Sequence, residues 1–194
     1  MRVAASVAAG GFNSDHAEVE VRQSGFAVFP ASPTISGLSS TFSVGVEPAG
    51  LGCCQRVADA VAIDVTARDP TVLVPATPLS IASNATSTGN QTMTTAGAGT
   101  SALVASTLTA PINSGVSATL TVVPTLTSIV QSAGQAGTVV NVAITGTNLS
   151  TTSAVGVSGT GVAVSLTNKT NTQLDLAFTI DALAEPNVRT VTVT

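Results

Sequence analysis

Two adjacent thiols, Cys53 and Cys54, are the residues of this chain whose type and spacing most invite a chemical reading, and they are its only cysteines. An ordinary disulfide joins Cα atoms about 4.4–6.8 Å apart, whereas neighbours on a trans peptide sit about 3.8 Å apart. Three states are therefore open. The pair can stay reduced in a loop, close a strained vicinal ring that stiffens that loop, or cross-link to another chain. A structural metal site is not expected, because His16 is the single histidine and no further thiolate is available. His16 falls in a polar stretch, GGFNSDH, that reads as a turn. Neither G-x-S-x-G nor H-E-x-x-H occurs, so nothing in the sequence organises a nucleophile or a metal-bound water. We expect no enzyme and no cofactor.

Other candidate groups are scattered. The acidic residues Asp59, Asp64, Asp69, Asp175, Asp181 and Glu185 are spread along the chain without the D-x-D-x-D spacing of a calcium loop, and read as solvated faces. There is no Trp and no Tyr, and Phe42 and Phe178 fall on inward faces of their segments, which disfavours an aromatic platform for carbohydrate. Four N-x-S/T triplets begin at Asn84, Asn90, Asn148 and Asn168; their polar, turn-like settings permit glycosylation. Six Lys and Arg, dispersed, cannot neutralise a run of phosphates, so nucleic acid is not an expected partner. No apolar run reaches about eighteen residues, which argues against membrane insertion by a helix, and the N-terminus lacks the apolar centre of a signal peptide. We expect either a protein that stays inside or a piece of a longer chain.

The elements that would carry these residues are strands. Charged residues make up 8% of the chain against 44% apolar, so Ser and Thr supply the polar positions. Thr and Val favour pleated backbone because branching at Cβ restricts χ1. Strand candidates recur every ten to fifteen residues between Gly, Pro, Asn and Ser, which is the rhythm of an all-β sandwich. TFSVGV places Phe42, Val44 and Val46 on one side; VAIDVTA places Val61, Ile63, Val65 and Ala67 inward. ATLTV offers Ala118, Leu120 and Val122; VVNVAIT offers Val140, Val142 and Ile144; LDLAFTI offers Leu174, Leu176, Phe178 and Ile180; and RTVTVT offers Val191 and Val193. Val19, Val21, Phe42, Ile63, Leu120, Ile144, Leu176 and Phe178 are the expected core.

Residues 2–22, RVAASVAAGGFNSDHAEVEVR, read as a β-hairpin whose closing strand alternates Ala17, Val19 and Val21 with Glu18, Glu20 and Arg22. At an offset of 101 residues, with no gap, the stretch matches LVASTLTAPINSGVSATLTVV, 103–123, in alternation and turn placement. That period suits one immunoglobulin-like sandwich and suggests modules in series. The expected organisation is a terminal hairpin at 1–23, belonging to a preceding sandwich or donated to another, then modules at 24–123 and 124–194.

Residues 26–123 resemble the bacterial immunoglobulin-like domains of the invasin and intimin class. FPASPTISGLSSTFSVGVEPAG, the D-P and V-P-A segments of VAIDVTARDPTVLVPATPLSIASNATSTGNQTMTTAGAGTSALVAS, and the closing SGVSATLTVV carry the resemblance. GLGCCQRVADA, residues 50–60, departs from that pattern. Residues 124–194 resemble the IPT/TIG immunoglobulin-like domain through a Pro-led first strand, the phrase ITGTNL at Ile144–Leu149, the strand LDLAFTI and the closing TVTVT. The resemblance implies tandem immunoglobulin-like β-sandwiches in a non-enzymatic, extracellular or cell-surface structural protein, such as an adhesin stalk or a filament. Its partners would be neighbouring immunoglobulin-like domains or identical subunits. Linkers such as VVPTL, 122–126, would be short, with Pro124 limiting the hinge. Two alternatives keep Met1 as a true start: a subunit that polymerises by strand exchange, or a virion protein displaying such domains.

Overall fold

The computed structural model describes residues 2–6, 16–20, 23–48, 52, 54–108 and 111–194, the first two stretches as backbone alone. Among these residues there is no helix, and the fold is all-β. The first strands are β1 (Arg2–Ser6) and β2 (His16–Glu20), which pair antiparallel with Val3 opposite Val19. His16 is thus the first residue of a strand rather than part of the turn, because the alternation that builds β2 already includes it. Whether Val19 and Val21 are buried lies outside the described residues.

The next eleven strands share one core. They are β3 (Ser24–Pro30), β4 (Thr34–Ile35), β5 (Ser39–Pro48), β6 (Val61–Ala67), β7 (Leu73–Pro75), β8 (Leu79–Ile81), β9 (Gln91–Thr95), β10 (Gly99–Ser101), β11 (Leu103–Ser106), β12 (Gly115–Val116) and β13 (Leu120–Val122). One sheet runs β3-β5-β9-β7, a second β12-β11-β6-β8, and a third, smaller one β10-β13-β4. Their inner faces meet at Phe26, Phe42, Val44, Ile63, Leu73, Met93, Leu103 and Leu120, all buried. In β6 the residues alternate as expected: Val61, Ile63 and Val65 are buried while Ala62, Asp64 and Thr66 are exposed. Ala118 departs from expectation and is exposed. The strand begins only at Leu120, and Ser117 takes the inward position, its Oγ accepting from the Leu103 N–H at 3.0 Å.

The remaining strands are β14 (Thr125–Val130), β15 (Val139–Thr147), β16 (Val155–Val157), β17 (Val162–Lys169), β18 (Gln173–Ile180) and β19 (Val191–Val193). A four-stranded sheet, β14-β15-β18-β17, faces a two-stranded one, β16-β19. Their core is separate from the first: Val142, Ile144, Leu149, Leu174, Leu176 and Phe178 are buried, with Val140, Val162 and Val191 packed partly buried against them. Among the described residues these six apolar side chains form the second core, against eighteen in the first, so the second sandwich is half open.

The hairpin and its counterpart in the 101-residue repeat pair differently. β1 bonds β2 directly, whereas β11 and β13 lie in different sheets. In the first sandwich other strands occupy their edges, β6 and β12 beside β11, β4 and β10 beside β13. Among the described residues the hairpin strands bond one another.

Candidate functional site at the junction between the sandwiches

Among the described residues a dense set of polar contacts lies where the two cores meet. Only Val123 and Pro124 separate β13 from β14. The Val123 N–H donates to the Ile35 carbonyl at 2.9 Å, so the linker is tied to the first sandwich before Pro124 fixes φ. The sequence after β15, Asn148-Leu149-Ser150-Thr151, and the turn before β18, holding Asn171, then reach back onto the first sandwich.

Asn148 is the centre of this arrangement. It is 1% exposed and takes a left-handed φ of 61°, which Asn tolerates better than other non-glycine residues. That conformation turns the chain out of β15 and aims the amide at backbone oxygens. Nδ2 donates to the carbonyls of Ser36 (3.3 Å), Gly37 (3.2 Å) and Val123 (3.0 Å), so one side chain ties first sandwich, linker and second sandwich together. Its Oδ1 is buried and unpartnered. The next residue, Leu149, is fully buried in the second core, so the clamp is anchored by packing.

Four more side chains work in the same direction. Thr147 Oγ1 donates to the Ser36 carbonyl (2.7 Å), Thr151 Oγ1 to that of Ala98 (3.0 Å) and Asn171 Nδ2 to that of Thr95 (2.8 Å), while Ser150 Oγ donates to the Ala96 carbonyl in a short contact. The first sandwich thus supplies a rim of main-chain carbonyls at 36–37 and 95–98, and the second supplies hydroxyl and amide donors. Every one of these bonds is neutral, so salt does not screen them. Close approach depends on glycine: a Cβ on Gly97 would sit 2.5 Å from Thr151 Cγ2 and 2.6 Å from Ser150 Oγ.

The residues singled out from the sequence do not gather here, apart from Asn148. Cys54 is disulfide-bonded, and it lies at the opposite end of the first sandwich, where Gln55 bonds Val46 and Ser24. Cys53, the other cysteine, lies outside the described residues. Among the four triplets, Asn84, Asn90 and Asn168 are exposed but Asn148 is buried, which corrects the expectation that all four occupy glycosylation-permissive settings. Among the described residues no group of three or more His, Cys, Asp or Glu could hold a metal ion. Asp175 is placed on the outer face of β18, where hydrogen bonds from Gln173 Nε2 (2.6 Å) and Asn168 Nδ2 (3.1 Å) hold its carboxyl below the usual carboxylate range. Thr147, Ser150, Thr151 and Asn171 were not legible as a site, since Thr147 ends a strand and the other three are ordinary turn residues until the two sandwiches are docked.

No family model and no curated protein matches the chain. Among solved structures it is similar to the Escherichia coli adhesin FdeC, at 15% identity and TM-score 0.39 over 88% of this chain and 60% of that one. It is similar to a long fragment of the S-layer protein SbsC, at 12% identity and TM-score 0.34 over 95% of this chain and 27% of that one. Domains 5–6 of SbsC give 14% identity and TM-score 0.33 over 87% and 88%. The chain spans less than two thirds of the first two structures.

Proposed function

We propose that this chain is a non-enzymatic structural segment of a bacterial extracellular or cell-surface protein, a stretch of adhesin stalk or filament whose working unit is the rigidly joined pair of sandwiches. Residues 24–123 and 124–194 are read as its two modules, the first of the invasin and intimin kind and the second of the IPT/TIG kind. The observation that carries this reading is the junction. A hinge between independent domains needs few bonds across it, whereas here five side chains of one module and the linker between them are committed to carbonyls of the other. Such an arrangement fixes the angle between modules and lets tension on one core pass to the next, which is what a spacer must do. Neutral bonds keep that angle independent of ionic strength.

Small-angle X-ray scattering tests the reading. The chain should scatter as one rod of fixed bend, unchanged between low and high salt. The double variant Asn148→Ala, Asn171→Ala should broaden to a family of bends while both sandwiches stay folded. If the unsubstituted chain already scatters as a freely hinged pair, the junction does not set the angle and the spacer reading fails.

A further inference from the structure

The second sandwich closes at the junction and gapes at its far tip. Near the junction Ile144, Leu149 and Leu174 are at most 3% exposed, whereas Val140, Val157, Val162 and Val191 toward the tip are only partly buried. A cavity of about 580 Å³ opens there between the two sheets, floored by Val142 and Phe178 and walled by Ile129, Val157, Val162 and Val191. That is the size of a small-molecule pocket, about 300–1,000 Å³. Apolar walls give water no hydrogen-bond partners, and such cavities take apolar guests. Two irregular segments rim the opening, 131–138 between β14 and β15 and 181–190 between β18 and β19. Both are tied to the strand ends. The Gly137 N–H donates to the Ile180 carbonyl (3.0 Å), the Asp181 N–H to that of Gly161 (2.8 Å) and the Thr138 hydroxyl to that of Gln135 (2.7 Å). The opening is therefore preformed. Gln131, in the lining, holds a left-handed φ of 65°, a costly conformation of the kind that ligand sites retain.

One cation faces this apolar space. Arg189, half-buried, lines the cavity at its mouth. Its guanidinium donates to two main-chain carbonyls, those of Ser158 (3.3 Å) and Glu185 (3.4 Å), and among the described residues no carboxylate pairs with it. Five donors in a fixed fork leave N–H groups over for a bidentate anion. The rim also carries Asp181 and Glu185, but both are exposed, and Asp181 Oδ1 accepts from the Leu183 N–H (3.0 Å). Solvent screens these two more than it screens Arg189. We propose that the cavity binds a free single-chain alkyl carboxylate, with its tail between the sheets and its head on Arg189.

The sheet sets the length of the tail. Val142 pairs with Leu176, and the lining continues to Ile180, four residues farther along β18. At about 3.3 Å per residue the depth is roughly 13 Å. An extended chain advances about 1.2 Å per bond, so roughly eleven bonds fill that depth. Dodecanoate is a chain of that length. Charge sets the orientation. A carboxylate driven down to Val142 and Phe178 would be buried without a partner, which is costly. Held at the rim, it keeps part of its water and meets Arg189. Val188 belongs to the lining yet is 92% exposed, so the mouth is open and a tail can enter without parting any strand pair. The site is independent of the junction between the sandwiches, and the spacer reading neither requires it nor falls with it.

Isothermal titration calorimetry of the 194-residue chain with dodecanoate, kept below its micellar concentration, tests the proposal. Binding should be one to one, and hydrogen exchange should show new protection in the rim segments 131–138 and 181–190. Dodecanol and dodecylammonium should bind about tenfold more weakly or worse, since a hydrogen bond to a charged group is worth at least about that factor. Arg189→Gln should weaken dodecanoate by about the same factor and leave dodecanol unchanged, while Glu185→Gln should tighten dodecanoate. Val191→Phe should fill the cavity and abolish uptake, with an unchanged circular dichroism spectrum showing that the sheets persist. Failure of dodecanoate to bind, equal affinity for the acid and the ammonium, or an Arg189→Gln variant that binds dodecanoate as wild type does would overturn the proposal. So would sedimentation with phosphatidylglycerol vesicles without uptake of the free acid, which would make the tip a membrane contact.

Discussion

Replacing Asn148 by alanine is the most direct perturbation of the junction, because one side chain there serves three carbonyls. The carbonyls of Ser36, Gly37 and Val123 lose the donor, and the amide's buried, unpaired Oδ1 disappears with it. The Asn148 amide nitrogen carries two hydrogens, and a hydrogen bond contributes about 0.5–1.5 kcal/mol net, so the lost bonds cost about 2 kcal/mol. Alanine must also take the left-handed φ of 61°, which adds about 1 kcal/mol. Asn148→Ala should therefore cost about 3 kcal/mol, while Asn148→Gly, free of the backbone strain, should cost about 1 kcal/mol less. Asn148→Asp is the sharpest variant: a buried carboxylate would face carbonyl oxygens with no donor. Its native pKa must rise above the unfolded value, so its excess cost appears as pH climbs through the ordinary Asp range and is absent in acid.

Urea unfolding followed by far-UV circular dichroism reads these differences, since the chain has neither Trp nor Tyr for fluorescence. The expected order at neutral pH is wild type, Gly, Ala, Asp, from most to least stable, with Asp recovering in acid. If Ala and Gly fall together within about half a kcal/mol of wild type, the amide is not clamping the junction. If Asp shows no pH dependence, the site is wet and the burial argument is wrong.

Gly97→Ala places a methyl group against Ser150 and Thr151 and should loosen the junction without unfolding either core, seen as a broader scattering envelope with unchanged circular dichroism; an unaltered envelope would mean the loops give way freely. In a cell that glycosylates N-x-S/T triplets, Asn84, Asn90 and Asn168 should be modified on the folded chain and Asn148 should not, as glycopeptide mass spectrometry would show. The lowered native pKa of Asp175 contributes stability above the ordinary carboxylate range that is lost as pH falls through the native value, and Asp175→Asn should flatten that acid limb of thermal stability slightly, the side chain being solvent-screened. Identical acid limbs in the two proteins would show that Gln173 and Asn168 do not hold the carboxylate in solution.

What could be read from the sequence was whatever repeats with period two. Phe42, Ile63, Leu120, Ile144, Leu176 and Phe178 are buried because alternation on a half-covered sheet leaves each of them one environment. Ala118 escaped because its segment alternates before the backbone becomes a strand, and alternation cannot locate a strand's first residue. The junction was illegible for a different reason: its acceptors are main-chain carbonyls, which carry no sequence signal, and its donors are the residue types that any turn uses. Asn148 did stand in a recognisable phrase, ITGTNL, yet as a fold marker and a glycosylation triplet it pointed outward. The two roles exclude each other on physical grounds. A buried Asn that must turn the chain at positive φ and point its amide nitrogen at three carbonyls has no accessible nitrogen left to modify, so docking of the sandwiches, and nothing local, decides what that residue does.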